Sequence, residues 1–150
     1  MLFEYRFVAD AQWSSKIHDP VNLIRCLPGL KRATETADGG FALAVGSRLG
    51  PVRLDFEGTA QVEQRQPQWW RAVVVLKERM AGTVYGTFDL FGLPQSEVKI
   101  QAEVNLEGRL AEFAQPLVKR KVQEIFGEFQ ENFVRMAAAL SEKTVYGKDG

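Results

Sequence analysis

A chain of 150 residues suffices for one domain with a sizeable core, burying roughly 68–70% of the surface its unfolded form would expose. Lys plus Arg and Asp plus Glu each number 19, so no net charge steers the molecule towards nucleic acid, and nucleic-acid binding is not expected. A single cysteine, Cys26, excludes an intrachain disulfide, and no apolar run reaches the ~18 residues of a membrane span. The opening Met-Leu-Phe-Glu-Tyr-Arg-Phe mixes acid and base into its apolar residues and does not read as a secretory signal. The expectation is a cytoplasmic protein without a transmembrane anchor.

Residues 2–8 read as a first strand, with Phe3, Tyr5 and Phe7 on one face and Glu4 and Arg6 on the other. Asp10 is placed to cap a short helix over 11–17, and Pro20 to open a second that ends before Leu27-Pro28-Gly29. Residues 31–36 and 41–48 then form a hairpin about Asp38-Gly39-Gly40. After Gly50-Pro51, Val52, Leu54, Phe56, Gly58, Ala60 and Val62 alternate with polar and charged residues through Glu63. That period of two belongs to an antiparallel sheet with one wet face. Residues 69–76, 83–91 and 97–107 are further strands, the last with Val98, Ile100, Ala102, Val104 and Leu106 pointing inward.

From about Leu110 to Leu140 the apolar residues fall at steps of three and four: Phe113, Leu117, Val118, Val122, Ile125, Phe126, Phe129, Phe133, Met136 and Leu140. Pro116 either kinks this helix or marks its true first turn. No repeat or linker divides the chain, so a single domain over 1–150 is expected, with a core of about 2–141 and a tail over 142–150. The predicted fold is α+β, a curved antiparallel sheet of about seven strands around a long C-terminal helix, with two short helices after the first strand.

One helix is about 10 Å across, whereas six or seven strands at ~4.8 Å spacing span nearly three times that. The sheet must curl around the helix, and space remains wherever the helix does not fill the trough. Small inward residues at Gly58, Ala60, Gly86 and Ala102 would widen such a space, while Phe56, Phe88 and Trp70 would fill it. Patterning alone leaves both outcomes open.

Pro20, Cys26-Leu27-Pro28-Gly29-Leu30, Leu49-Gly50-Pro51-Val52 leading to Phe56-Glu57-Gly58, and Gly108-Arg109-Leu110-Ala111 occur in this order. In these the sequence resembles the carbon monoxide dehydrogenase CoxG family of the START/SRPBCC superfamily, over roughly residues 5–134. The resemblance implies a helix-grip fold with a deep hydrophobic pocket and a non-catalytic role. That role is binding of a lipid- or quinone-like molecule, or helping a molybdenum-containing dehydrogenase mature or reach the membrane. Two departures stand out. Many relatives carry a further C-terminal membrane-directed segment, whereas this sequence stops at Lys148-Asp149-Gly150. The family's glycine-rich stretch near the fifth and sixth strands is replaced by residues 73–80, Val-Val-Val-Leu-Lys-Glu-Arg-Met.

The expected cavity walls are Leu54, Phe56, Trp70, Val74, Phe88, Leu90, Val98 and Ile100 from the sheet, with Phe113, Leu117, Val118 and Val122 from the first half of the helix. Ile125 to Leu140 should seal the core. A metal site needs several ligands at suitable spacing, and His18 is the lone histidine, expected at the surface or in a cap. Cys26 has no orienting group beyond His18 and reads as a partly buried thiol. Gly39, Gly40, Gly46 and Gly50 form no phosphate-binding fingerprint, so no cofactor is expected. Asp55, Glu57, Glu97 and Glu103 lie on wet strand faces. Lys119-Arg120-Lys121 is either a solvated face, with Glu124 in reach of Arg120, or a contact for an anionic membrane or acidic partner. Strand parity turns one of Trp69 and Trp70 inward, Trp70 being the expected one, to line the pocket or to pack. Phe91-Gly92-Leu93-Pro94 falls at an expected hairpin tip, folded back on the core or forming a pocket rim. Thr83, Tyr85 and Thr87, the polar groups a cyclase or hydrolase would need, are sent by parity to the face opposite Val84, Gly86 and Phe88.

Overall fold

In the computed structural model, the backbone is described for residues 1–10 and 12–149 and side chains through 140, Ala11 excepted. Seven strands, β1 (Leu2–Val8), β2 (Leu30–Glu35), β3 (Phe41–Leu49), β4 (Val52–Gln66), β5 (Trp69–Glu78), β6 (Gly82–Leu93) and β7 (Glu97–Glu107), form one antiparallel sheet. Their order is β1-β7-β6-β5-β4-β3-β2, so β2 to β7 meander and β1 closes on β7. The chain must cross from one sheet edge to the other between β1 and β2. It does so through α1 (Trp13–Lys16) and α2 (Val21–Ile24), which cap one end of the trough.

Within the curved sheet one approach is especially close. Gly58 on β4 approaches β5 so closely that an added Cβ would lie 1.8 Å from the Val75 carbonyl oxygen. Only a residue without a side chain permits that approach.

α3 (Gln115–Asp149) lies in the trough, and at 1.5 Å per residue its 35 residues reach about 52 Å. It starts later than the apolar spacing suggests: residues Gly108–Glu112 form a separate 3-10 turn, held by the Leu110 N–H donating to the Ala81 carbonyl at 2.8 Å. Pro116 therefore sits in the first turn, where its missing N–H leaves no bond unmade, and the kink does not arise. At the other end the helix continues through the residues read as a tail.

The short helices are also shorter than their patterns suggest. α1 is one turn. Asp10 does not cap it directly but accepts the Gln12 N–H at 2.8 Å, an Asx turn ahead of the helix, while Ala11 lies outside the described residues. The β6–β7 turn falls at residues 94–96, so Phe91, Gly92 and Leu93 belong to β6 rather than to a hairpin tip.

Two apolar clusters divide the interior. The first gathers β1, β7, α1 and the middle of α3, with Phe133 at 0% exposure. Phe133 meets Trp13 edge-on at 5.1 Å and Phe7 at 5.4 Å between centroids, and Phe126 meets Tyr5 at 5.6 Å. Tyr5 also donates its hydroxyl to Gln130 Oε1 at 2.6 Å, tying strand to helix. The second cluster joins α2, β3, β4 and Leu110. Val62, Val84, Phe88 and Leu106 pack against both.

Candidate functional site: an apolar cavity between two cores

Between the clusters lies a cavity of about 630 Å³, within the ~300–1,000 Å³ of small-molecule sites. The cause is a gradient of side-chain size along α3. Its middle carries Phe126, Phe129 and Phe133 against β1 and β7, whereas its first three turns offer Val118, Val122 and Ile125 to the wide part of the sheet. Aliphatic side chains of that length do not reach across.

Of the residues expected from the sequence, Leu54, Phe56, Trp70, Val74, Phe88, Leu90, Ile100, Val118 and Val122 line this space. Val98, Phe113 and Leu117 do not. Val98, at 0% exposure, pairs with Phe7 and Gly92 at the end of the trough that α1 and α3 close, so it is solid core. Phe113 precedes the helix and Leu117 lies in its first turn, and both pack on the second cluster.

The division of α3 shifts accordingly: Ile125, Phe126 and Phe129, expected to seal the core, face the cavity. Of the small residues expected to widen it, only Gly86 borders it, with the Phe88 ring folded over that position. Gly58 instead faces the β5 backbone. Sequence reasoning missed the wall supplied by Leu23, Ile24 and Leu27 around α2 and by Leu43, Val45 and Leu49 on β3. The alternation Phe41, Leu43, Val45 was the available signal.

The wall is set by three polar ties. Trp70 Nε1 donates to Ser14 Oγ at 2.9 Å, and Ser14, at 1% exposure, donates to the Pro67 carbonyl at 2.5 Å. That engages the indole N–H of a cavity-lining residue and leaves its ring to face the hollow. Gly29 (φ +74°) brings the Leu27-Pro28-Gly29 loop against β3, where the Gly46 N–H donates to the Gly29 carbonyl at 2.9 Å. Asn132 Nδ2 donates to the Cys26 carbonyl at 3.0 Å and ties α3 to the same segment.

The charged and polar candidates lie elsewhere. Cys26 is fully buried at 2% exposure rather than partly so, and burial pushes its thiol up to about 12. A thiol that stays protonated is a poor nucleophile. His18 is exposed. Thr83, Tyr85 and Thr87 point to the convex face, where Tyr85 donates to Glu107 at 3.3 Å. Asp55, Glu57 and Glu97 pair there with Lys31, Arg32 and Arg6. Glu103 is exposed.

Trp69 also faces outward, stacked on Phe91 at 5.5 Å, with Arg65 and Arg71 over its ring and its Nε1 donating to Asp89 at 2.7 Å. Phe91 and Leu93 are thus no rim of this cavity. In the basic run, Lys119 and Arg120 are exposed, and Glu124 pairs with Lys121 at 3.6 Å rather than with Arg120. Among the described residues, no three His, Cys, Asp or Glu side chains gather as a metal site. No helix is long and apolar enough to cross a membrane among the described residues.

The model of the carbon monoxide dehydrogenase CoxG family matches residues 8–138. The chain belongs to the CoxG family. Among curated proteins no relative matches the sequence. Solved structures similar to it include a conserved protein from Geobacillus kaustophilus, at TM-score 0.72 and 15% identity over 92% of this chain and 94% of that one. A START superfamily protein from Mycobacterium smegmatis matches at TM-score 0.58 and 15% identity over 93% and 97% of the two chains. The Zhui aromatase/cyclase from Streptomyces sp. R1128 matches at 0.52 and 8% over 97% and 94%. At these identities the likeness is one of fold: this CoxG-family chain has the helix-grip architecture of the START/SRPBCC superfamily.

Proposed function

We propose that this protein binds a lipid- or quinone-like molecule in the cavity without transforming it, in the service of a molybdenum-containing, carbon monoxide dehydrogenase-type enzyme. The observation that carries the reading is the apolar hollow of about 630 Å³ whose deep wall has its one indole N–H already bonded to Ser14. Such a wall rewards apolar surface and offers nothing to polarise a bond. Membership of the CoxG family supports the link to the dehydrogenase. Supporting a binding rather than a catalytic role, the protonated Cys26 and the outward Thr83, Tyr85 and Thr87 bring no acid, base or nucleophile to the ligand.

Affinity then comes from burial at roughly 0.8 kcal/mol per methylene. Two methylenes are worth about 1.6 kcal/mol, close to fifteenfold in Kd while the tail still fits. The test is mass spectrometry of solvent extracts of the purified protein, followed by thermal melting with a chain-length series of lipids and a quinone. Ligand at a hundred times its Kd should add about 2.7 kcal/mol, or roughly 5–11 °C in Tm. No co-purifying lipid or quinone, and no shift from either class, refutes the reading.

The second reading is a surface-acting assembly or membrane-recruitment partner of such a dehydrogenase. It draws on the half-exposed Trp69–Phe91 pair on the convex face, flanked by Arg65, Arg71 and Lys99. Pull-down of the enzyme by wild type but not by Trp69→Ala would favour it.

A further inference from the structure

One end of the molecule carries an excess of positive charge that the balanced composition conceals. The β3–β4 tip, the β5–β6 turn, the 3-10 turn and the start of α3 meet there, through Leu49, Ala81, Leu110 and Leu117 of the second cluster. Residues 48–53, 77–82, 107–112 and 115–121 hold eight of the 19 basic side chains and three of the 19 acidic ones, so the rest of this neutral chain is correspondingly acidic. Arg53 reaches Asp55 only at 3.9 Å, and Lys121 reaches Glu124 at 3.6 Å. Arg48, Lys77, Arg79, Arg109, Lys119 and Arg120 make no ion pair among the described residues. Two of the three carboxylates are engaged by other groups, Glu78 by the Met80 and Ala81 N–H groups and Glu107 by the Tyr85 hydroxyl.

Apolar side chains project from the same end. Met80, in the β5–β6 turn, is 69% exposed, and Val52, beside the exposed Pro51, is 44% exposed. Met80 is held in place: the Glu78 carboxylate accepts its N–H at 2.7 Å, and the next residue, Ala81, is buried. A lone exposed apolar side chain is ordinary. Two at loop tips among cations without partners match a lipid interface, where apolar side chains enter the acyl boundary and Lys and Arg meet anionic headgroups. A bilayer accepts such tips at any spacing, whereas an acidic protein would need a pocket cut for each.

We propose that this end docks on an anionic phospholipid bilayer, with Met80 and Val52 entering the interface and the basic side chains against the headgroups. Leu49, Leu54, Leu110 and Val118 of these same segments line the cavity, so docking sets its wall beside the lipid. The surface is separate from the Trp69–Phe91 pair, which lies at the opposite end of the β5–β6 ladder, and it does not depend on what the cavity holds.

The test is co-sedimentation of the full-length protein with vesicles of phosphatidylcholine, alone or with about 30% phosphatidylglycerol. Binding should need the phosphatidylglycerol and should weaken about tenfold or more between 50 and 500 mM salt. At roughly fivefold per charge, Arg79→Gln/Lys119→Gln/Arg120→Gln should lose about a hundredfold. Arg6→Gln/Lys99→Gln/Arg135→Gln removes the same charge elsewhere and should lose about threefold at most. Because Cys26 is buried, a nitrobenzoxadiazole label can be placed on Met80→Cys, or on Gln66→Cys at the Trp69 end. The label should shift to the blue on vesicles at the first position and stay unchanged at the second. No binding to phosphatidylglycerol vesicles, equal binding without that lipid, equal losses in the two triple variants, or a blue shift at Gln66→Cys in place of Met80→Cys overturns the docking surface. The cavity reading is tested by solvent extracts and melts, and it stands or falls apart from this result.

Discussion

Ala72 on β5 and Ala102 on β7 are both inward-facing alanines, and each pairs with Phe88 of the intervening β6. They differ in what lies beyond the Cβ. Ala72 borders the cavity, whereas Ala102, at 4% exposure, lies in the solid first cluster opposite Phe3. Replacing Ala102 by Phe drives a ring into close-packed side chains, and overpacking of this kind costs about 1–3 kcal/mol. The same ring at Ala72 enters empty space and buries apolar surface. Full burial of a Phe is worth about 1.5–3 kcal/mol, offset by side-chain ordering and by adjustment of Phe88. The expected net change at Ala72 is therefore within about 1 kcal/mol of zero. Chemical denaturation should separate the two variants by about 2 kcal/mol, and differential scanning calorimetry by roughly 4–8 °C for a chain of this size. Ala72→Phe should in addition lose binding of the neutral fluorescent probe N-phenyl-1-naphthylamine, and Ala102→Phe should keep it in the protein that remains folded. Equal destabilisation at both sites would show that the space beside Ala72 is filled, and the argument for a hollow would fail with it.

Asp89→Asn should lower stability by about 1–2 kcal/mol at pH 7, because it removes charge-assisted bonds from Arg71 and Trp69. Burial pushes the Asp89 carboxyl up, but the Arg71 and Trp69 bonds and the charges of Arg71 and Arg65 together outweigh it and hold it below its ordinary 3.8. Its contribution is thus present above pH ~4 and lost as pH falls through the lowered value, so wild type and variant should converge in acid melts. Cys26 should resist a thiol reagent at pH 8 in the native state and react fully in denaturant, and prompt labelling of the folded protein would contradict its burial. Because its thiol titrates near 12 folded and near 9 unfolded, stability should decline as pH rises from about 9 towards 12, and less so in Cys26→Ala. Gly29→Ala would place a Cβ 2.0 Å from the Gly46 carbonyl at a positive φ, so its Tm should fall by several degrees, and an unchanged melt would show that the loop is free to move away.

Strand identity and parity were legible because they depend on a period of two that any half-wet sheet imposes. Glu97–Glu107 has the bounds its alternation suggests, and Trp70 rather than Trp69 faces inward. The start of α3 was not legible in the same way. Phe113 happens to continue the helical spacing, but the Leu110–Ala81 bond holds that segment to the β5–β6 turn, and apolar periodicity carries no record of such a contact. The cavity wall was half legible for a related reason. Parity gives the inner face of each strand, yet it cannot distinguish Val98 from Ile100 on one face, although the first is walled off by β1 and α1 and the second borders the hollow. That distinction needs the position of α1 and the closure of β1 on β7. The α2 wall was hidden because a single helical turn has too few residues to show a period.

The size gradient along α3 explains how one helix serves two ends. Phe126 packs on Phe3 and Tyr5 and at the same time borders the cavity, so the solid cluster and the hollow share a wall. Phe133, Trp13 and Phe7 close the first cluster without any ligand, and their edge-on contacts hold the middle of α3 to the sheet. The solid end thus keeps the fold without help from the hollow, as the proposed binding role would require. An enzyme of this shape would need its polar groups turned inward. Here the inward tie of Trp70 to Ser14 is already satisfied, and the charges nearest the cavity belong to the hairpin tip, the start of β2 and the solvent side of α3.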